Sequence, residues 1–142
     1  MVMIEIVSYS YLPEKAKQIR EDVFIKEQGF AVEFDFLDEK CTHFILYENG
    51  IACGTCRIYL DEKDGRYHLG RLAVSKSKRG KGFGRALVEA SEAEIKRRGH
   101  HQVVLSAQQR VVPFYEAIGY RCVGETYLDE FCPHIQMVKD LV

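Results

Sequence analysis

Residues 71–90 read RLAVSKSKRGKGFGRALVEA, and no other stretch of the 142-residue chain narrows its fold as far. A short apolar run stops at Val74. Lys76, Lys78, Arg79, Lys81 and Arg85 then share ten positions with Gly80, Gly82 and Gly84, and an amphipathic segment follows. The N–H groups in the first turn of a helix have no internal partners, and the helix dipole favours negative charge there. Glycines let a ligand's oxygens approach those amides, and the basic side chains attract an anion from a distance. A strand–turn–helix unit of this composition suits a diphosphate-bearing ligand. A solvated basic loop with glycines for flexibility is the competing reading on charge and glycine alone.

The spacing narrows the ligand. A nucleotide P-loop needs glycine five residues before its Gly-Lys pair and Ser or Thr after it; here Ser75 precedes Gly80-Lys81 and Gly82 follows. The dinucleotide fingerprint needs glycine where Arg85 stands, on the first strand of a parallel unit rather than after a meander. ATP and NAD are therefore disfavoured. The net charge of −1 gives no global attraction to nucleic acid, so the basic cluster is a local device.

The periodicity around this unit predicts one α/β domain over residues 1–142. Residues 2–8 alternate as a strand, and LPEKAKQIREDVFIKEQG predicts a helix with Pro13 in its first turn and Gly29 at its end. Ala16, Ile19 and Val23 form its apolar stripe, and Glu27 takes the next place on that stripe. FAVEFDFLDEK is irregular, acidic and aromatic. THFILY and IACGTCRIYL are strands joined through Asn49-Gly50, a primed hairpin turn, and YHLGRLAV is a third. A helix from about 83 to 98, a strand HQVVLSA, a short helix VPFYEAI, a strand YRCVGETYL and a closing strand PHIQMVK complete an antiparallel meander followed by β-α-β-α-β.

Composition sets the class. At 46% hydrophobic and 29% charged the chain reads as an ordinary globular protein, without a membrane-length apolar run or a basic n-region at its start, which leads to an expectation of a cytoplasmic location. Five cysteines (Cys41, Cys53, Cys56, Cys122 and Cys132) argue against a secreted disulfide framework. Cys53 and Cys56 fall on opposite faces of a strand, so they are expected to be buried structural thiols rather than metal ligands, and no metal is expected.

Two motifs then carry a resemblance. Leu72-Ala73-Val74 before Arg79-Gly80-Lys81-Gly82-Phe83-Gly84 resembles the acetyl-CoA motif of the GNAT superfamily of N-acetyltransferases, and Phe114-Tyr115-Glu116-Ala117-Ile118-Gly119-Tyr120 resembles the family's FYEKLGF signature. EDVFIKEQGF, EFDFLDE and PHIQM are similar to small bacterial ElaA-like members. The resemblance implies a mixed, mostly antiparallel sheet of about 6–7 strands, about four helices, and a V-shaped splay between the fourth and fifth strands. It implies that Arg79 to Arg85 bind the pyrophosphate of acetyl-CoA through backbone amides. Leu72, Ala73 and Val74 are expected to pair with the pantetheine arm as with an extra strand, and Phe114 to pack beside it. Gln108 stands where the family commonly has Asn.

The resemblance also makes Tyr115 the acid that protonates the leaving thiolate, a role for which a phenol, protonated at neutral pH, is suited. An alkyl ammonium needs a proton acceptor, because only about one molecule in a thousand is free base at neutral pH. Glu27, Glu33, Asp35, Asp38 and His134 are the candidates; Glu27 and Glu33 are read as catalytic, Asp35 and His134 as substrate-binding. An acidic loop facing the slot would suit a cationic amine. The expected reaction is direct acetyl transfer in a ternary complex, without an acyl-enzyme, to a small primary amine: an amino acid, amino sugar or polyamine. A protein lysine or N-terminus as acceptor, and a non-catalytic acyl-CoA sensor, are the alternatives. No nucleic-acid or membrane partner is expected, and an apolar last strand would suit a homodimer.

Overall fold

The structure, a computed structural model describing residues 1–31 and 33–142, is built on seven strands: β1 (Ile4–Tyr9), β2 (Thr42–Glu48), β3 (Ile51–Asp61), β4 (Arg66–Val74), β5 (Gln102–Gln108), β6 (Arg121–Asp129) and β7 (Cys132–Asp140). They form one sheet in the order β1-β2-β3-β4-β5-β7-β6, antiparallel except where β4 meets β5. Asn49 and Gly50 have φ values of 49° and 81°, the positive pair that a primed turn requires, and so the turn joins β2 to β3 as expected. β7 does not close the sheet. It lies between β5 and β6, because the β6–β7 hairpin folds back to set β7 against β5 from Gln102↔Asp140 to Gln108↔His134. The edge strands are therefore β1 and β6, and not the last strand.

Helix α1 (Glu14–Arg20) starts after Pro13, which is extended at ψ 151° and caps the helix instead of opening its first turn. From Glu21 to Glu27 the helix widens into π-helical turns, with Gln28 N bonded to Val23 O at 3.1 Å, five residues back. The wider turn shifts the phase of the stripe. Ala16, Ile19 and Val23 stay buried, and Glu27 swings out to the surface. Helix α2 (Phe83–Arg97) buries Leu87, Val88 and Ile95, and α3 (Val112–Ala117) buries Tyr115. Gly54 marks how tightly α2 packs, since a Cβ there would meet Leu87 Cδ1 at 2.9 Å.

The two faces of the sheet are covered separately. On one, Phe44, Leu46, Ile58, Leu69, Leu87, Val103, Leu105 and Met137 form the main core beneath α2 and α3. On the other, Ile19 of α1 and Val23 of the π-helical turns that follow it pack on Ala73. Leu72 and Val74 point the opposite way from Ala73 and join the α2 side, as alternation along a strand requires. Cys53 and Cys56 are buried and, like the other three cysteines, free. No helix among the described residues is long and apolar enough to cross a membrane.

Candidate active site

The parallel pairing of β4 with β5 runs only from Tyr67↔Val103 to Leu69↔Leu105, while β4 continues to Val74 and β5 to Gln108. The strands separate beyond Leu69, and the β5-facing side of β4 has no ladder partner there among the described residues. A bulge sharpens the departure. Gly70 pairs with Arg57 and Ala73 with Thr55, so Arg71 and Leu72 together face Cys56. Arg71 takes φ 54°, which costs a non-glycine residue about 1–2 kcal/mol.

Ion pairs around Arg71 offset that strain. Its Nε donates to the Glu33 carbonyl at 3.0 Å and lies 2.8 Å from Glu33 Oε1, and another nitrogen reaches Asp35 Oδ2 at 3.4 Å. Arg20 of α1, almost fully buried, holds Glu33 at 2.9 Å and Asp38 at 2.8 Å. Arg57 of β3 holds Asp35 at 2.7 Å and Asp38 at 2.8 Å. Burial would raise the Asp38 carboxyl, but the bonds from Arg20 and Arg57 outweigh it and hold the pKa at about 2. Burial raises Glu33 against the pull of Arg20 and Arg71. Three arginines thus meet three carboxylates. In the segment read as an acidic platform for a cationic amine, Glu33, Asp35 and Asp38 are each paired with arginine, while Glu33 also lines the cavity.

Between the diverging strands lies a cavity of about 190 Å³, walled by Leu69 to Leu72 on one side and Leu105 to Gln108 on the other. Tyr115, Phe114, Glu33 and His134 also line it, with Phe24, Gln28 and Phe30 from the α1 end. Tyr115 is buried, packed edge-to-face on Phe114 at 5.0 Å and Tyr120 at 5.7 Å. Its hydroxyl bonds to none of the described residues, and burial pushes the phenol up from its ordinary value, an effect the nearby Cys56 thiol adds to. Gln108 Nε2 donates to Gln28 Oε1 at 2.8 Å, tying β5 to the end of the α1 segment. Near Phe30 the chain is clasped to the β6–β7 turn: Phe30 packs on Phe131 at 5.1 Å, and Ala31 N donates to Glu130 Oε1 at 2.9 Å.

A second, more open cleft of about 570 Å³ adjoins the first, sharing Gln28, Leu72, Arg110, Val111 and Phe114 with it. Its floor is the basic turn, with Val74, Arg79, Gly80, Gly82, Gly84 and Arg85 in the wall. Gly80 and Gly82 both have φ 80°, and a Cβ at either would meet nothing within 4 Å. The backbone there faces open space in a conformation that glycine alone adopts freely. The bond from Ala86 N to Gly82 O closes the first turn of α2, leaving the amides of Phe83, Gly84 and Arg85 ahead of the helical ladder. The residues present fit a pyrophosphate.

Three of the basic side chains are held by carboxylates from other elements. Arg79 grips Glu27 through two bonds of 2.6 and 2.7 Å, and Lys78 and Lys81 flank Glu48 at 2.7 and 3.1 Å. The hydrogen bonds from Arg79 hold the Glu27 carboxyl below its ordinary range.

Of the residues singled out in the sequence, the structure brings Tyr115, Glu33, His134, Gln108, Leu72 and Phe114 to one cavity, and Leu72, Ala73, Val74, Arg79, Gly80, Gly82, Phe83, Gly84 and Arg85 to the adjoining cleft. Lys81 lies beside that turn on Glu48. Glu27 is at the cleft mouth on Arg79, and Asp35 is in the arginine network; neither lines the cavity. Sequence reasoning missed Arg20, Arg57 and Arg71. The first two did leave a signal, a cation on the buried side of an apolar helix stripe and another inside an apolar strand run. Gln28 and Phe30 reach the cavity through loop geometry and Asp129 through the β6–β7 hairpin, and none of the three left a signal.

Comparison with known proteins agrees with this geometry. Residues 9–141 match the family model described as acetyltransferase (GNAT) domain. The uncharacterized N-acetyltransferase YjcF of Bacillus subtilis is 38% identical over 86% of this chain and 88% of its own length. Escherichia coli ElaA superposes with a TM-score of 0.83 at 26% identity, covering 98% of this chain and 99% of that one. An acyl-CoA N-acyltransferase from Pseudomonas aeruginosa gives a TM-score of 0.82 at 27% identity with the same coverage. With a match that spans nearly the whole chain, the protein belongs to the GNAT family of acetyltransferases and is an acyltransferase of its small bacterial type.

Proposed function

We propose that the protein moves the acetyl group of acetyl-CoA to the primary amine of a small molecule by direct attack, with Tyr115 as the acid. The observation that carries this reading is the join of the two cavities. A glycine cradle with free amides opens onto the splay between β4 and β5, and the splay ends at the Tyr115 phenol. Acetyl-CoA brings an activated thioester. The turn from Arg79 to Arg85 holds its pyrophosphate, the unpaired side of Leu72, Ala73 and Val74 takes its amide-bearing arm, and Phe114 flanks the arm. Tyr115, kept protonated by burial, gives its proton to the sulfur as the C–S bond breaks.

The acceptor side favours a small molecule over a protein chain. A cavity of about 190 Å³ lies below the ~300–1,000 Å³ of ordinary ligand pockets, and Phe30 in its wall packs against Phe131 of the β6–β7 turn. Glu33 lines the cavity with both carboxylate oxygens engaged by arginine, and is proposed to hold Arg71 and the loop in place. Glu27 and Glu48 are proposed to hold the basic turn for the coenzyme.

The test is acetyl-CoA-dependent release of free coenzyme A against amino acids, amino sugars, polyamines and a lysine peptide. A no-amine control is required, because the exposed Cys122 and the partly exposed Cys132 also react in such an assay. Turnover with a free amine and none with the peptide is expected. Turnover with the peptide alone moves the acceptor to protein lysine. Tight coenzyme binding without turnover of any amine refutes the enzyme reading.

A further inference from the structure

The polar groups of the cavity wall differ in how far hydrogen-bond donors already engage them, and the exposed Asp129 carboxylate, at its edge, has no partner among the described residues. Glu33 accepts from Arg20 and Arg71, Gln108 Oε1 accepts from Arg110 Nε at 3.1 Å, and Gln28 Oε1 accepts from Gln108. His134 is different. It sits at the start of β7, directly opposite Gln108 in the β5 ladder, and is 7% exposed. Its ring is held near Tyr127 at 6.1 Å and 28°, and edge-on to Phe30 at 6.4 Å. Its Nδ1 lies 2.9 Å from the carbonyl oxygen of Cys132. A carbonyl only accepts, so Nδ1 must carry the hydrogen and donate it. In the neutral ring the lone pair is then on Nε2. Among the described residues Nε2 has no hydrogen-bond partner, and the ring is part of the cavity wall that also includes Tyr115.

Resting on the acetyl-transfer reading above, we propose that His134 Nε2 is the proton acceptor that converts the bound ammonium of the substrate to the free amine. A proton passes from the ammonium nitrogen to Nε2, giving an imidazolium whose Nδ1–H stays on the Cys132 carbonyl. The freed nitrogen lone pair forms the C–N bond to the acetyl carbon and the C–S bond breaks. The Tyr115 hydroxyl proton goes to the sulfur, and the second nitrogen proton restores the phenol. The imidazolium proton leaves to solvent, so the sum is ammonium plus thioester giving amide, thiol and one proton. No carboxylate is needed for this step, in agreement with the arginine partners of Glu33, Asp35 and Asp38.

The role predicts a dependence on the amine that a structural histidine would not produce. His134→Asn keeps a donor for the Cys132 carbonyl but removes the base, and His134→Ala opens the space that the ring fills. Each is compared with the intact protein at about pH 7.5 on amines of one shape but different basicity, spanning pKa values of about 8 to about 10.4. Both variants are expected to lose kcat/KM by at least about 100-fold on the most basic amine. On the least basic amine, part of which is already free base, the loss shrinks by about 100-fold relative to that. Coenzyme affinity stays within about twofold, and added imidazole restores part of the His134→Ala rate. An equal loss on every amine, or a loss that follows coenzyme affinity, overturns the assignment while leaving acetyl transfer intact. Absence of turnover by the intact protein on all amines overturns both. Should His134→Ala fail to fold, the amine series with His134→Asn decides.

Discussion

Leu69 and Leu105 are the last residues that pair β4 with β5, and both point into the main core while the next residues of the two strands wall a cavity. One cross-strand contact therefore marks the boundary between a packed sheet and a binding slot. The bulge at Arg71 lies two residues beyond it, and its strained backbone is held by Glu33 and Asp35.

Tyr115→Phe tests the acid. The hydroxyl bonds to none of the described residues, so its removal should leave the melting temperature and coenzyme affinity nearly unchanged. Turnover should fall by about 10²–10⁴-fold. An unimpaired kcat removes Tyr115 from the chemistry.

The cradle is probed by Gly82→Val. A β-branched side chain at φ 80° is strained by about 1–2 kcal/mol, and its methyl groups would occupy the space beside the α2 amides. Calorimetric titration with coenzyme A should show binding abolished, with a modest drop in thermal stability. Wild-type affinity would falsify the placement of the pyrophosphate.

Glu27→Gln separates a proton-transfer role from a role in the turn. The Glu27–Arg79 pair is partly exposed, so its loss should cost at most about 1 kcal/mol of stability. The Michaelis constant for the coenzyme should shift while kcat stays within about twofold. A collapse of kcat at unchanged coenzyme affinity would instead place Glu27 in the chemistry.

Asp38 should dominate the acid limb of stability. Its folded pKa of about 2 lies below the ordinary 3.8, so its contribution is present above about pH 4 and is lost as pH falls toward 2. The size is roughly 2 kcal/mol. Glu33, raised by burial, works in the opposite direction, because a folded state that takes up a proton more readily gains stability as pH falls. Asp38→Asn leaves Arg20 and Arg57 short of a counter-charge and should cost about 3–5 kcal/mol at neutral pH. In denaturant unfolding that deficit should narrow by roughly 2 kcal/mol between about pH 5 and about pH 2. A constant deficit would mean that Asp38 titrates normally in the fold.

The sequence by itself determined the elements whose chemistry is local. Asn49-Gly50 dictates its turn because few other residues accept two positive φ values, and the glycines before Phe83 dictate an open helix N-terminus for the same reason. The two motifs also place Tyr115, since a short helix after β5 has one buried face and Tyr115 is on it. What periodicity does not carry is phase and partnership. The π-helical turns from Glu21 to Glu27 rotated Glu27 out of the apolar stripe while Ile19 and Val23 stayed packed on Ala73 of β4. The insertion of β7 beside β5 depended on hairpin register, to which side-chain alternation is blind once both faces are buried. The charges of Glu33, Asp35 and Asp38 read as a platform because their partners, Arg20, Arg57 and Arg71, come from three other elements. Only tertiary structure brings charges that distant together, and it also sets the His134 ring in the cavity wall with Nδ1 on the Cys132 carbonyl.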